Sequence, residues 1–134
     1  MRERFFDFEV LPHWWCCVFG TMPDNEIVTE QIKDTFVIVT SDDNVCRDLL
    51  LQYLLENGFV QMGYNIKHYD LSIANGVYQA LIPEQLKILN DVIINPSSQW
   101  LSKEHMRIAP MSKRKLQCVY EDLMDDGGGS LKEI

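Results

Sequence analysis

Asp7 and Glu9 stand two residues apart in the run Phe5-Phe6-Asp7-Phe8-Glu9-Val10, so carboxylates alternate with bulky apolar residues at period two. On a strand this spacing sends both acids to one face and Phe6, Phe8 and Val10 to the other. Side by side, the two charges raise each other's pKa, and burying them adds a desolvation cost. A divalent cation removes that conflict, which makes metal binding the first chemistry to consider. A second set lies in Gly63-Tyr64-Asn65-Ile66-Lys67-His68-Tyr69-Asp70, where Asn65 and Asp70 fall at a strand-to-helix junction. Open α/β sheets hold their ligands at such junctions. Asp70 is the acid able to join Asp7 and Glu9 around a metal. Plainer readings stand beside these: Asp7 and Glu9 as surface residues of an edge strand, Asp70 as a helix N-cap, and Asn65 as the closure of an Asx turn.

The elements that would position these residues follow from the pattern. Residues 5–11 and 14–19 read as the strands of a hairpin broken at Pro12-His13. Residues 27–33 and 36–40 are further strand candidates, and the unbroken apolar run Phe36-Val37-Ile38-Val39 predicts a strand buried on both faces. Ser41-Asp42-Asp43 supplies N-cap chemistry for a helix whose apolar face is Cys46, Leu49, Leu50, Tyr53 and Leu54, stopped by Asn57-Gly58. A strand over 59–64 follows, then a short helix from Asp70 ended by Asn75-Gly76. Pro83 opens a second amphipathic helix carried by Ile82, Leu86, Leu89 and Ile93. Residues 95–102 read as loop and 116–123 as a last strand. Asp125-Asp126-Gly127-Gly128-Gly129 reads as a flexible turn, and Ser130-Leu131-Lys132-Glu133 as a capping box opening a helix cut short at Ile134. Strands first, then alternating helix and strand, make this an α/β chain with a mixed sheet.

The chain has 134 residues and 46% hydrophobic content, enough for one domain spanning 1–134. No apolar run approaches membrane-spanning length and no signal-peptide pattern opens the chain, so a soluble, cytoplasmic protein with no membrane partner is expected. Cys16, Cys17, Cys46 and Cys118 show no CxxC spacing, which argues for reduced thiols rather than zinc. Cys16 and Cys17, being adjacent, face opposite ways on a strand. A net charge of −8 counts against a protein that coats nucleic acid non-specifically. It does not exclude one that reaches a nucleic acid through metal ions in an acidic cleft. The basic cluster Lys113-Arg114-Lys115 reads either as a phosphate contact or as a solvated loop. His13, His68 and His105 have no metal-ligand spacing, and Trp14, Trp15 and Trp100 read as packing residues.

Asp-x-Glu on a first strand, followed after a later strand by Asn-x(2–3)-(Phe/Tyr)-Asp, resembles the DEDD-type 3′–5′ exonucleases. Here the two motifs are Asp7-Phe8-Glu9 and Asn65-Ile66-Lys67-His68-Tyr69-Asp70. Together with Gly129-Ser130-Leu131-Lys132-Glu133, they look like the N-terminal proofreading region of bacteriophage DNA polymerases. The resemblance runs from residue 5 to the end of the chain. It implies a ribonuclease H-like mixed sheet flanked by helices, incomplete at its C-terminus, and two-metal hydrolysis of DNA phosphodiesters. Asp7, Glu9 and Asp70 would be the catalytic and metal-binding acids, holding Mg2+ or Mn2+. Asn65 and Tyr69 would bind the terminal nucleotide or brace the site. The partners implied are a DNA 3′ end and the remainder of a polymerase, in the cytoplasm of a bacterial host. Two cations about 4 Å apart activate water and stabilise the leaving oxygen in such sites.

The family's third motif, Tyr-x3-Asp or His-x4-Asp, does not occur. Every tyrosine and histidine fails the test, and Asp125 is one residue out of register with Tyr120. The expectation is therefore a fragment whose fourth acid lies beyond Ile134, a site completed by a second polypeptide, or a retained fold that no longer cuts. In the last case the chain would act as a protein-binding module, as inhibitor, decoy or recognised trigger.

Overall fold

In a computed structural model, the residues described are 2–21, 36–97 and 102–124. The strand expected over 27–33, the turn at 125–129 and the capping box at 130–133 lie outside them, as does Trp100. Five strands form one mixed sheet in the order β3-β2-β1-β4-β5. They are β1 (Arg2–Leu11), β2 (Trp14–Thr21), β3 (Phe36–Thr40), β4 (Phe59–Gly63) and β5 (Tyr120–Asp122). β2 runs antiparallel to β1 and β3, while β4 is parallel to both β1 and β5. Among the described residues, four α-helices accompany the sheet: α1 (Cys46–Leu54), α2 (Asp70–Tyr78), α3 (Pro83–Ile94) and α4 (Lys103–Ile108).

Period two along β1 decides which face is core. Arg4, Phe6 and Phe8 are buried, whereas Asp7 and Glu9 are exposed on the other face. Phe6 stacks on Phe19 with centroids 6.0 Å apart, and Phe8 tilts against Trp15 at 5.6 Å. These aromatics, with Cys17 and Val39, pack against Leu50 and Leu54 of α1, Leu71, Ile73 and Val77 of α2, and Leu86 and Leu89 of α3 in one core. Arg4 is buried among them because its guanidinium donates to Tyr53 O at 2.9 Å and pairs with Glu56 at 3.1 Å. It also lies 3.8 Å from the Phe59 ring centroid. Cys17 is buried and Cys16 half-buried, as their opposite orientation requires, and all four cysteines are free thiols.

Several expectations change. β3 is not buried on both faces: it is at one end of the strand order, and Phe36 and Ile38 are 62% and 64% exposed. An unbroken apolar run therefore does not distinguish a central strand from an outer one whose second face is open. Ser41, Asp42 and Asp43 do not cap α1, whose N-cap is Val45. The Ser41 hydroxyl instead accepts from Trp15 N–H at 3.0 Å, tying the end of β3 to the hairpin. Asn75-Gly76 does not end α2, which runs on to Tyr78. Asn75 is fully buried, and Gly76 is needed for close approach of α3: an added Cβ would lie 2.6 Å from Leu89 Cδ2 and 2.7 Å from Leu86 Cδ1. The strand over 116–123 shrinks to Tyr120–Asp122. No helix among the described residues is long and apolar enough to cross a membrane.

Candidate functional site

β1 is the middle strand of the five, so Asp7 and Glu9 are not on an edge. Their register with β2 pairs Asp7 with Val18 and Glu9 with Cys16, and β3 extends those rows through Ile38 and Thr40. Two carboxylates thus project from the centre of an open sheet face whose reverse side is the aromatic core. Among the described residues neither side chain has a hydrogen-bond or ion-pair partner.

The other half of the site is built where β1 and β4 part. Their parallel ladder covers only Arg2–Phe5 against Phe59–Met62. Beyond it, the Phe8 N–H has no strand to bond, and it donates to Asp70 Oδ1 at 3.0 Å. The chain leaves β1 toward β2 and leaves β4 toward α2, so this gap is a switch point at the carboxyl ends of parallel strands. Asp70 is the first residue of α2 and its carboxylate faces β1. The N-cap position belongs to Tyr69, so the capping explanation of Asp70 does not hold.

Asp70 is only 5% exposed. Burial raises its pKa from 3.8 to about 7, with Asp7 and then Asp122 adding to the rise against the Phe8 N–H, which lowers it. Tyr69 is pushed up to about 12, first by burial and then by the charges of Asp70, Asp7, Glu9 and Asp91. Its hydroxyl lies 2.5 Å from Asn90 Oδ1, a bond that braces α2 against α3. Of the two roles expected for Tyr69, this geometry supports the bracing one. Cys17, behind the strand, is also raised, by burial first and then by Asp70 and Asp7. Asp7 and Asp70 are thus electrostatic neighbours, although 62 residues separate Phe8 and Asp70 along the chain.

Asp7 and Asp70 also line one cavity of about 470 Å³, walled by Phe5, Phe36, Tyr64 and Ile66. Glu9 and Asn65 do not line it. Asn65 adopts φ 61°, in the left-handed region that asparagine tolerates best after glycine. Its carbonyl accepts from Tyr69 N–H at 3.1 Å, closing the turn before α2 through the backbone. Among the described residues no three Asp, Glu, His or Cys side chains converge closely enough to hold a metal ion. The donor chemistry nonetheless suits a hard divalent cation: two carboxylates share a cavity, and one is kept from ionising freely by burial beside the other.

Sequence reasoning missed Asp122. This carboxylate is 3% exposed and ends β5, which the parallel register sets beside Gly63. Its Oδ1 accepts from Asn65 N–H at 2.8 Å and Met124 N–H at 2.9 Å, and its Oδ2 from Lys67 N–H at 2.8 Å. Burial alone would raise its pKa, but these three donors, with His68 nearby, outweigh it and hold the carboxyl below its usual range. An acid near the end of the strand expected over 116–123 was the available signal. Arg114, from the basic cluster, donates to Lys67 O and lies over the Tyr120 ring. The solvated-loop reading therefore fails for Arg114, while Lys113 and Lys115 are exposed.

Comparison with known families, curated proteins and solved structures finds no match to this chain.

Proposed function

We propose that the chain is the N-terminal part of a DEDD-type 3′–5′ exonuclease domain of the phage DNA polymerase kind, with a ribonuclease H-like sheet. The observation that carries this reading is the meeting of Asp7 and Asp70 in one cavity where β1 and β4 part, beyond their parallel ladder. The mixed five-stranded sheet with helices is compatible with that fold. The motif residues fall on the elements that the exonuclease pattern requires, with Asp7 and Glu9 on the first strand and Asp70 after a later one.

Asp7 and Asp70 would hold a divalent cation, with Glu9 supplying a further carboxylate on the same sheet face. A bound Mg2+ or Mn2+ would supply Lewis acidity toward a DNA phosphodiester and neutralise the local charge. The chain's own contribution is to fix the acids on a rigid strand and to close the cavity floor with Phe6 and Ile66. Tyr69, held by Asn90, sets the start of α2 and with it Asp70.

Isothermal titration of the protein with Mn2+ tests the reading. Saturable binding is expected, weakened at least tenfold by Asp7→Asn. Equal affinity in wild type and variant, or no binding by either, would refute the metal site.

A further inference from the structure

We infer that Asp122 is a positioning residue of this site: its carboxylate clamps the 64–69 turn from the β5 side and thereby sets Asp70 against β1. The inference rests on the proposed site, but its first test needs no metal. Both oxygens of Asp122 are committed, to Asn65 N–H, Lys67 N–H and Met124 N–H. Arg114 takes the Lys67 carbonyl, so the turn is held through donors and acceptors alike. Between the two clamped amides sits Ile66, fully buried, whose carbonyl accepts Leu71 N–H at 2.8 Å. Gly63 before the turn has no room for a side chain, since a Cβ there would lie 2.4 Å from Ile66 Cγ2.

This arrangement is more than a strand cap. Three backbone N–H groups converge on this one carboxylate, and one of them belongs to a residue in the left-handed region. Asn65 is held at φ 61°, in the left-handed region, so without its acceptor the turn is free to relax. Asp70 lies three residues beyond Lys67, and its carboxylate ties the start of α2 to β1 by accepting from Phe8 N–H. Loss of the clamp is therefore transmitted to Phe8, which Asp122 does not touch.

Amide hydrogen exchange of Asp122→Ala, without metal, reads the inference directly, since asparagine would keep an Oδ1 able to accept from Asn65 N–H. Exchange at Asn65, Lys67 and Phe8 should accelerate at least tenfold, while amides of the β1–β2 ladder keep wild-type protection. Unchanged exchange at Phe8, or uniform acceleration across the sheet as from plain destabilisation, would overturn it. If Asp122→Ala does not fold, Arg114→Gln, which removes the Lys67 carbonyl's partner and the cation over Tyr120 but leaves Asp122 in place, should give the same pattern more weakly, and its failure to do so would count equally against the inference. Titration with Mn2+ adds a separate arm. A wild type that binds no Mn2+ sinks the metal reading, while the Phe8 exchange result still decides the clamp.

Discussion

Asp70→Asn probes how far the fold is strained by the acid it buries. The Asp70 carboxyl is 5% exposed and its pKa stands at about 7, against 3.8 unperturbed. The rise from 3.8 to about 7 corresponds to about 4 kcal/mol. The sign follows from proton counting. Between those two values the folded protein holds a proton on Asp70 that the unfolded chain has released. Stability is therefore full below pH 3.8, falls as pH rises through the window up to about 7, and stays low above it. Asparagine does not titrate, and its Oδ1 still accepts the Phe8 N–H. Urea unfolding with a chelator present should show the two proteins nearly equal at pH 4. At pH 8 the variant should be more stable by about 4 kcal/mol, or roughly 15 °C in Tm. Mn2+ at pH 8 should then stabilise wild type and leave the variant unmoved. A stability difference that is constant from pH 4 to pH 8 would refute the reasoning, because Asp70 would then ionise in the fold as it does in water.

Two further substitutions test the packing that supports the site. Gly76→Ala adds a methyl where α2 meets Leu86 and Leu89; the overpacking cost of about 1–3 kcal/mol should exceed the helix-propensity gain of about 1 kcal/mol and lower the urea midpoint. Asn75→Ala removes a side chain that accepts from Lys115 N–H and Leu116 N–H and donates to the Met111 and Lys113 carbonyls, so unfolding should show a loss of about 2–4 kcal/mol, with exchange at Leu116 accelerating most.

The hairpin, α1, β4 and α3 were legible because each carries its own period and its own stop. Phe6 and Phe8 alternate with Asp7 and Glu9, and Leu50 and Leu54 repeat along a helix, so their orientation is a local property. The errors share a cause. Asn75-Gly76 has the local chemistry of a helix end, yet tertiary partners at Met111–Leu116 and α3 give both residues reasons to sit inside α2. Phe36 and Ile38 have the hydrophobicity of a central strand, but strand order is set by which partners are left, and β3 pairs on one side with β2. Within the site, Asp7, Glu9 and Asp70 could be singled out from spacing. Asp122 could not be tied to Asn65 and Lys67, because the β4–β5 register that brings them together is a long-range fact.

The gap between β1 and β4 also has a price in chain entropy. Phe8 meets Cys17 of β2 after a short hairpin, whereas Phe8 and Asp70 are separated by 62 residues. Loop-closure entropy grows with the logarithm of length, which makes the second contact about 1.7 kcal/mol dearer to close than the first. One wall of the site is thus assembled by neighbours in sequence. The other is drawn in only when the parallel ladder joins distant parts of the chain, and it brings to that junction a carboxylate that repels Asp7. A cation bridging the two acids would act as a tether across the longest loop the site closes, as well as a reagent.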